Sequence, residues 1–249
     1  MIGPQAPTPL SPADAEAIRG VFESAGYSEE RLRELSGLLV PPPREILPAD
    51  TLAAFNDSAE PLGSLGRLFY LGLPCGVGET RNVLPGAFLT LCVECGLLAK
   101  EGGCFVPRAL IVPVQGNLLA SDLQLLRSQD EAQFVPTLCD AAVHLNRVRA
   151  QKPVERVLDL CCGFGLHGLL ASQSAAEVVA TDLNPRAESF VRFNASLNGR
   201  VNVTAMTGDL LSAVAGQQFD LILCNPPFIL SPESVTTYRF NPLELDGFV

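Results

Sequence analysis

The chain has 249 residues, of which 47% are hydrophobic and 18% charged, and its formal net charge is −10. This composition is typical of a globular protein with room for two domains or one large one. Residues 1–150 carry 11 basic and 17 acidic side chains (−6), and residues 151–249 carry 6 and 10 (−4). Neither half fits a protein that binds nucleic acid mainly through the phosphate backbone, because such binding requires an excess of Lys and Arg.

The sequence contains no run of about 18 apolar residues, so it predicts no membrane span. Residues 1–12 are rich in proline and lack Lys and Arg, and we expect a disordered leader there rather than a signal peptide. Several of the eight cysteines lie inside apolar runs, where a thiol behaves as a small hydrophobic group. We therefore expect reduced cysteines and a cytoplasmic protein.

Residues 13–150 are predicted to form a mainly helical N-terminal domain. Ser11-Pro12 is typical of a helix start, and Ser28 opens a second helix with a capping box. Further helices are predicted at 51–57, 62–71, 79–83 and 86–98, and strand-like runs follow at 105–106 and 109–114. Helices followed by a hairpin of these two runs indicate a winged-helix-like domain.

The charge of this domain favours a packing or partner-docking role over nucleic-acid binding, although both stay open. The best candidate for a recognition helix, 86–98, is almost entirely apolar, and the wing offers only Lys100 and Arg108. No metal is expected. Cys92 and Cys95 lie within a helix-like run, and the spacings to the neighbouring cysteines match no common zinc site.

Residues 151–249 are predicted to form a second domain, of α/β class. A helix over 134–149 precedes the boundary at Lys152-Pro153. Repeated strand–helix units then predict a parallel sheet with helices on both faces. The predicted strands are 155–160, 177–182, 201–206 and 219–224, and a helix over 185–198 follows the second of them.

The first strand leads into a glycine loop that has two interpretations. Gly163, Gly165 and Gly168 match the spacing of a dinucleotide-binding fingerprint, and Asp182 falls near the acidic position expected for the ribose. However, Asp159 precedes the loop, and two cysteines separate the strand from the glycines. A nicotinamide-dependent oxidoreductase therefore stays open as an alternative at this stage.

The fourth strand ends in Asn225-Pro226-Pro227-Phe228. Because proline has no N–H, two consecutive prolines end the strand and form a rigid turn. The turn lies where open α/β sheets bind ligands, at the carboxyl ends of their strands. The Asn225 amide oxygen and the Pro226 carbonyl offer two acceptors for a planar NH2 group, and the Phe228 ring offers a stacking face.

Residues from about 154 to 229 resemble the class I S-adenosylmethionine (SAM)-dependent methyltransferases. Within these they resemble the small-domain branch whose fourth strand ends in Asn-Pro-Pro-Phe or Asn-Pro-Pro-Tyr, related to release-factor glutamine and ribosomal RNA guanine-N2 methyltransferases. The glycine loop, Asp182, Asp209 and the Asn225 turn carry the resemblance, because they fall in the order and spacing of that family.

The resemblance implies a Rossmann-like sheet and a SAM site. The loop formed by Asp159, Cys161, Gly163 and Gly165 would lie against the methionine part of SAM, with Cys161 standing where the family has its first glycine. Small residues allow the backbone to approach a ligand closely.

The resemblance also assigns the nucleoside part of the cofactor. Asp182 would hold both ribose hydroxyls, since a carboxylate accepts from two vicinal donors. Asp209 would lie at the adenine amino group, and Leu210 would pack on the ring. The family sheet has seven strands, whereas four precede Val249, so we expect the methyltransferase domain to be incomplete at its carboxyl end.

The predicted activity is SAM-dependent methylation of a planar NH2, with Asn225, Pro226, Pro227 and Phe228 as the catalytic turn. The preferred target is a protein glutamine amide of the release-factor type. Guanine N2 or adenine N6 of ribosomal RNA is the alternative, because both present a planar NH2. A non-catalytic binding module with a truncated fold is the alternative from another class.

Overall fold

The computed structural model describes residues 6–38, 40–41, 47–57, 60–123, 133–148 and 153–227. Its helices are α1 Pro12–Ser24, α2 Glu29–Ser36, α3 Ala49–Asp57, α4 Pro61–Leu65 with a π-helical turn Gly66–Tyr70, α5 Val77–Val83, α6 Gly86–Glu94, α7 Asp140–Val148, α8 Leu166–Ala171 and α9 Pro185–Leu197. Its strands are β1 Cys75–Gly76, β2 Leu98–Glu101, β3 Cys104–Pro107, β4 Ala109–Val114, β5 Asn117–Asp122, β6 Val154–Leu160, β7 Ala175–Asp182, β8 Val203–Thr207 and β9 Leu221–Cys224.

The first two helices begin at the caps that the sequence predicts. The side chain of Ser11 accepts a hydrogen bond from the backbone N–H of Asp14, and Ser28 does the same for Arg31. Helix α2 ends at Gly37 in the left-handed conformation, which removes the steric cost of a side chain at that position. None of the helices in the described ranges is long and apolar enough to span a membrane.

The winged-helix-like arrangement is present, but its wing differs from the predicted one. Strand β3 pairs antiparallel with both β1 and β2, in the order β1-β3-β2, and α5 and α6 lie between β1 and β2 in sequence. The wing is therefore the β2–β3 hairpin, closed by Gly102 and Gly103, which both have positive φ. The prediction that runs 105–106 and 109–114 pair with each other was wrong, because β4 pairs with β5 instead.

Strand β5 was not predicted from the sequence, and the predicted start of α7 lies too early. Gln115 and Gly116 both have positive φ and form the tight turn between β4 and β5. Helix α7 begins at Asp140, not near residue 134. The backbone of Val135 is bonded to Asp122: its N–H donates to the carboxylate over 2.9 Å, and its carbonyl accepts from the Asp122 N–H over 3.1 Å. This pairing holds residue 135 extended along the end of β5.

The α/β class and the parallel sheet are confirmed. Within the described residues, this sheet contains four strands in the order β8-β7-β6-β9, all parallel. Helix α8 connects β6 to β7, and α9 connects β7 to β8. The order means that β6 and β7 lie at the centre, and the loops that follow them meet at the carboxyl edge of the sheet.

The β4–β5 hairpin is fixed to α9 by two asparagine side chains that act as strand partners. Asn194 accepts from the N–H of Ala120 over 2.7 Å and donates to its carbonyl over 2.9 Å. Asn198, one turn later, makes the same pair of bonds with Leu118, at 2.9 and 2.8 Å. The amides thus satisfy backbone groups at the edge of β5, which would otherwise be buried without partners.

An ion pair between the hairpin and the start of α9 strengthens this contact. The Arg186 guanidinium donates to both carboxylate oxygens of Asp122, at 3.2 and 2.9 Å from Nε, and the Asp122 side chain is buried. Residues of α1, such as Ile18 and Phe22, belong to the same apolar cluster as Phe193 of α9. The helical region therefore packs directly against the helix that leaves the carboxyl edge of the parallel sheet.

Candidate active site

The loop after β6 contains three left-handed residues at alternate positions. Cys161, Gly163 and Gly165 have φ values of +56°, +52° and +86°. Glycine adopts this region freely, whereas a residue with a Cβ does so at a cost of about 1–2 kcal/mol. The backbone therefore explains the alternation of glycines in the predicted motif, and Cys161 holds a conformation that glycine would favour.

Asp182, at the end of β7, fixes this loop. One carboxylate oxygen accepts from the N–H of Gly163 over 2.8 Å, and the other accepts from the N–H of Asn184 over 2.9 Å. Each oxygen keeps a further lone pair. Burial raises the pKa of the Asp182 carboxyl, an effect that the hydrogen bonds from Asn184 and Gly163 oppose.

Asp159 lies beneath the same loop and is fully buried. Its Oδ2 accepts from the N–H of Gly168 over 2.7 Å, while Oδ1 has no hydrogen-bond partner among the described residues. A Cβ on Gly168 would stand 3.0 Å from Asp159 Oδ2, so a side chain there would have to displace the carboxylate by a few tenths of an ångström. Burial raises the pKa of Asp159, an effect that the hydrogen bond from Gly168 opposes.

The end of β8 lies beside the end of β7. Asp182 is the register partner of Thr207, and the N–H of Gly208 donates to the Asp182 carbonyl over 2.9 Å. Asp209 is exposed, and Leu210 is half-buried with φ +46°. The structure thus brings the predicted nucleoside-binding residues to the same edge as the glycine loop.

Two exposed leucines near this edge were not among the site residues predicted from the sequence. Leu183 and Leu211 are 59% and 54% exposed, and each follows directly after a predicted cofactor residue. Exposed apolar side chains beside the predicted acceptors for sugar hydroxyls suit a flat nucleobase. The available signal was the apolar residue directly after Asp182 and the second apolar residue after Asp209.

The Asn225 turn begins directly after β9. This strand pairs with β6, and Cys224 is the register partner of Leu160, which places Asn225 beside the start of the glycine loop. Asn225, Pro226 and Pro227 are all half-buried, and none of the hydrogen bonds among the described residues uses the Asn225 amide. Phe228 lies outside the described residues.

A third asparagine contact joins the loop to the rest of the molecule. Besides its two bonds to Ala120, the side-chain amide of Asn194 donates to the carbonyl of Phe164 over 2.9 Å. Phe164 stands between the two loop glycines. Asn194 therefore links the β4–β5 hairpin, α9 and the glycine loop, a role that the sequence alone did not reveal.

The residues present fit SAM by their chemistry. The cofactor carries an ammonium group and a sulfonium, and the edge presents two carboxylates, the fully buried Asp159 and the half-buried Asp182, whose pKa values burial raises. A positive charge beside them would favour their ionised form. An added Cβ at Gly163 would meet no atom within 4 Å, so there is open space above the loop. Within the described residues, no group of three or more His, Cys, Asp or Glu side chains is placed to hold a metal ion.

The sheet order, the loop geometry and the strand-end acids together define the class I methyltransferase fold. Residues 138–238 match the family model described as the methyltransferase small domain. The resemblance that the four motifs indicate is thereby confirmed.

The relatives that match this chain include methyltransferases of two substrate classes. The release factor glutamine methyltransferase of Deinococcus radiodurans is 39% identical over 140 residues, which are 52% of this chain and 48% of the relative. That of Escherichia coli is 42% identical over 93 residues, or 35% of this chain and 34% of the relative. A 23S rRNA uracil-C5 methyltransferase of Marinomonas posidonica is 39% identical over 77 residues, or 29% of this chain and 18% of the relative.

The chain spans about half the length, or less, of these three relatives. The similarity to the Deinococcus protein covers more of both chains than the similarity to the ribosomal RNA enzyme does.

Proposed function

We propose that this chain is a SAM-dependent N-methyltransferase that acts on the side-chain amide of a protein glutamine. The observation that carries the proposal is the position of Asn225: an amide acceptor on a proline-fixed turn, beside a glycine loop that is anchored by Asp182. Similarity to release factor glutamine methyltransferases supports the substrate class. We also propose that residues 13–150 form the substrate-docking domain and residues 151–249 the SAM-binding domain.

In this proposal SAM supplies an activated methyl group, and the chain binds it along the carboxyl edge of the sheet. Asp159 and the backbone of Cys161, Gly163 and Gly165 hold the methionine part. Asp182 accepts hydrogen bonds from the ribose hydroxyls.

The adenine lies at the far end of the same edge in this proposal. Asp209 accepts from the adenine amino group, and Leu210 packs on the ring. The half-buried position of Leu210 and the exposure of Asp209 support these assignments.

The turn residues orient the target. Asn225 Oδ1 and the Pro226 carbonyl accept the two N–H bonds of the target NH2, which directs its lone pair at the methyl group. Pro227 holds the turn rigid, and Phe228 stacks on the planar target. Orientation of this kind accounts for much of the acceleration of a displacement reaction. The reaction requires no strong base, because the nitrogen can lose its proton during or after methyl transfer.

The alternative target is an NH2 of ribosomal RNA, and the winged-helix-like topology favours it. The charges of that region oppose it. Arg108, one of two cations at the wing, forms an ion pair with Glu101, and Arg67 forms one with Glu79. The exposed face of α6 carries no Lys or Arg and presents Gly86, Ala87, Thr90, Val93 and Glu94. A surface of this kind offers few free cations, such as the exposed Lys100, for the phosphate contacts that RNA binding requires.

A cytoplasmic location belongs to the same proposal. All eight cysteines are free thiols, which is the state that the reducing cytoplasm maintains. Translation factors and ribosomes, the substrates named for the relatives, act in that compartment.

The experiment that tests the proposal is methyl transfer from labelled SAM. The purified chain is incubated with labelled SAM and either a peptide-chain release factor or ribosomal RNA, over a series of KCl concentrations. We expect label that protease removes and RNase does not, located on a glutamine by mass spectrometry. If RNase removes the label, and if the affinity for the substrate falls steeply with salt, the target is RNA and not a protein.

A further inference from the structure

Two half-buried thiols lie on neighbouring segments at the junction between the glycine loop and the Asn225 turn. Strands β6 and β9 are parallel neighbours, and Leu160 is the register partner of Cys224. Cys161 follows Leu160 and is therefore one residue out of register with Cys224. Both thiols are half-buried, so small reagents can reach them.

The two thiols are chemically unequal. The interaction with Cys161 lowers the pKa of Cys224, and the interaction with Cys224 raises the pKa of Cys161. A thiolate is the reactive form of cysteine, and a neighbouring thiol can resolve its oxidised product. Cys224 is therefore the nucleophile of the pair, and Cys161 is the resolving thiol.

We propose that Cys161 and Cys224 form an oxidation site that a hydroperoxide converts into a disulfide. The Cys224 thiolate attacks one peroxide oxygen, the O–O bond breaks, and hydroxide leaves, which gives a sulfenic acid. The Cys161 sulfur then attacks the Cys224 sulfur, and water leaves with the Cys161 proton. In sum, two thiols and one hydrogen peroxide give one disulfide and two waters, so two electrons pass from sulfur to the peroxide.

The strand geometry permits this bond. Neighbouring strands lie about 4.8 Å apart and rise about 3.3 Å per residue, so Cα atoms one residue out of register are about 5.8 Å apart, within the roughly 4.4–6.8 Å that disulfides span. Cys161 lies beyond the last residue of β6, so the alternation of side chains between the faces of the strand ends before it. Cys161 is also the loop residue that holds a left-handed backbone despite its Cβ, so its conformation is the one that a new bond would most easily change.

The disulfide would tie the SAM loop to the turn that orients the target. If the proposed function holds, Cys161 contributes backbone to the cofactor site, and its displacement weakens SAM binding. We expect the affinity for SAM to fall at least about tenfold on oxidation, equivalent to 1.4 kcal/mol, and to return after reduction.

A second cysteine pair serves as an internal comparison. Cys75 and Cys104 also lie one residue out of register on neighbouring strands, since Gly76 is the register partner of Cys104. Burial raises the pKa of Cys75 to about 11, which suppresses its thiolate at neutral pH. Peroxide should therefore oxidise the Cys161–Cys224 pair well before this one.

The test is peptide mapping of the whole chain after graded hydrogen peroxide treatment. The remaining thiols are blocked by alkylation, and cross-linked peptides are identified by mass spectrometry without reduction. We expect the peptide that joins Cys161 to Cys224 to appear first and to vanish with dithiothreitol. The readout needs no catalytic activity, so it is independent of whether the proposed function is correct.

Two variants sharpen the test. Cys161→Gly restores the residue that the backbone favours, so it should fold, and it should lose the cross-link and the peroxide sensitivity of SAM binding. Cys139→Ser removes an exposed thiol elsewhere and should keep the cross-link. Cross-linking of Cys161 to Cys162, or of Cys75 to Cys104 first, would overturn the proposal, as would full alkylation of both site thiols after peroxide.

Discussion

Asn194 should be the asparagine on which the stability of the fold most depends. Its side chain is fully buried and bonds three backbone groups, the N–H and carbonyl of Ala120 and the carbonyl of Phe164. Asn194→Ala leaves all three without a partner. A buried polar group left unsatisfied costs about 1–3 kcal/mol. Allowing for a water that enters the space, we expect a loss of about 3–5 kcal/mol in the free energy of unfolding.

Urea denaturation of the wild-type chain and the variant measures this loss, and Asn198→Ala is the matched control. Asn198 makes the same pair of bonds to the hairpin, with Leu118, but it is only half-buried and does not touch the loop. Water can satisfy its partners, so its replacement should cost about 1–2 kcal/mol. Asn194→Ala should also bind SAM more weakly than the wild-type chain, by roughly 2–10-fold, since the loop loses one neutral hydrogen bond.

Two results would refute this reasoning. If Asn194→Ala lost no more stability than Asn198→Ala, the three buried bonds would not be the cause of the hairpin's attachment to α9. If it lost stability while SAM binding stayed unchanged, the bond to Phe164 would not position the loop.

Three further predictions concern the carboxyl edge. Asp182→Ala should weaken SAM binding by about 1.5–3 kcal/mol, the scale for hydrogen bonds to a charged group, as measured by calorimetry. Because burial raises the pKa of Asp182 above its ordinary 3.8, the carboxylate takes up a proton at a higher pH than an exposed aspartate. SAM affinity should therefore fall as the pH drops through that raised value, and an Asp182→Asn variant should bind with a weaker pH dependence. Asn225→Ala should lower kcat by about 10²-fold or more and leave SAM affinity nearly unchanged, because it removes an acceptor for the target only; normal turnover would make Asn225 a turn residue without a catalytic role.

The parallel sheet was predictable because its signals are local. The strands are short apolar runs followed by residues that predict a ligand site, such as Asp182 and Asn225, and helix α9 begins with a cap at Asn184 and a proline. Cys161 was recognised as a replacement for glycine, and the left-handed backbone confirms why glycine is the usual residue there. The edge of the sheet could be assembled from these pieces because parallel strands bring their carboxyl ends together.

The hairpins were harder to predict, because the pairing of their strands does not follow from amino-acid composition. The run 109–114 was recognised as a strand, but the turn at Gln115 uses a non-glycine residue in a left-handed conformation, so the sequence did not reveal β5. Besides β4, the partners of β5 are the side chains of Asn194 and Asn198, which are more than 70 residues away. Contacts of that range follow from the assembled fold, and so does the link from Asn194 to the glycine loop.

Calorimetric titration of the chain with SAM and with NAD is the most direct test of the central claim, which is that the loop after β6 holds SAM. We predict that SAM binds, that Asp182→Ala removes most of that affinity, and that NAD shows no measurable heat of binding. Tight binding of NAD without binding of SAM would contradict the account, because Gly163, Gly165 and Gly168 would then serve a dinucleotide.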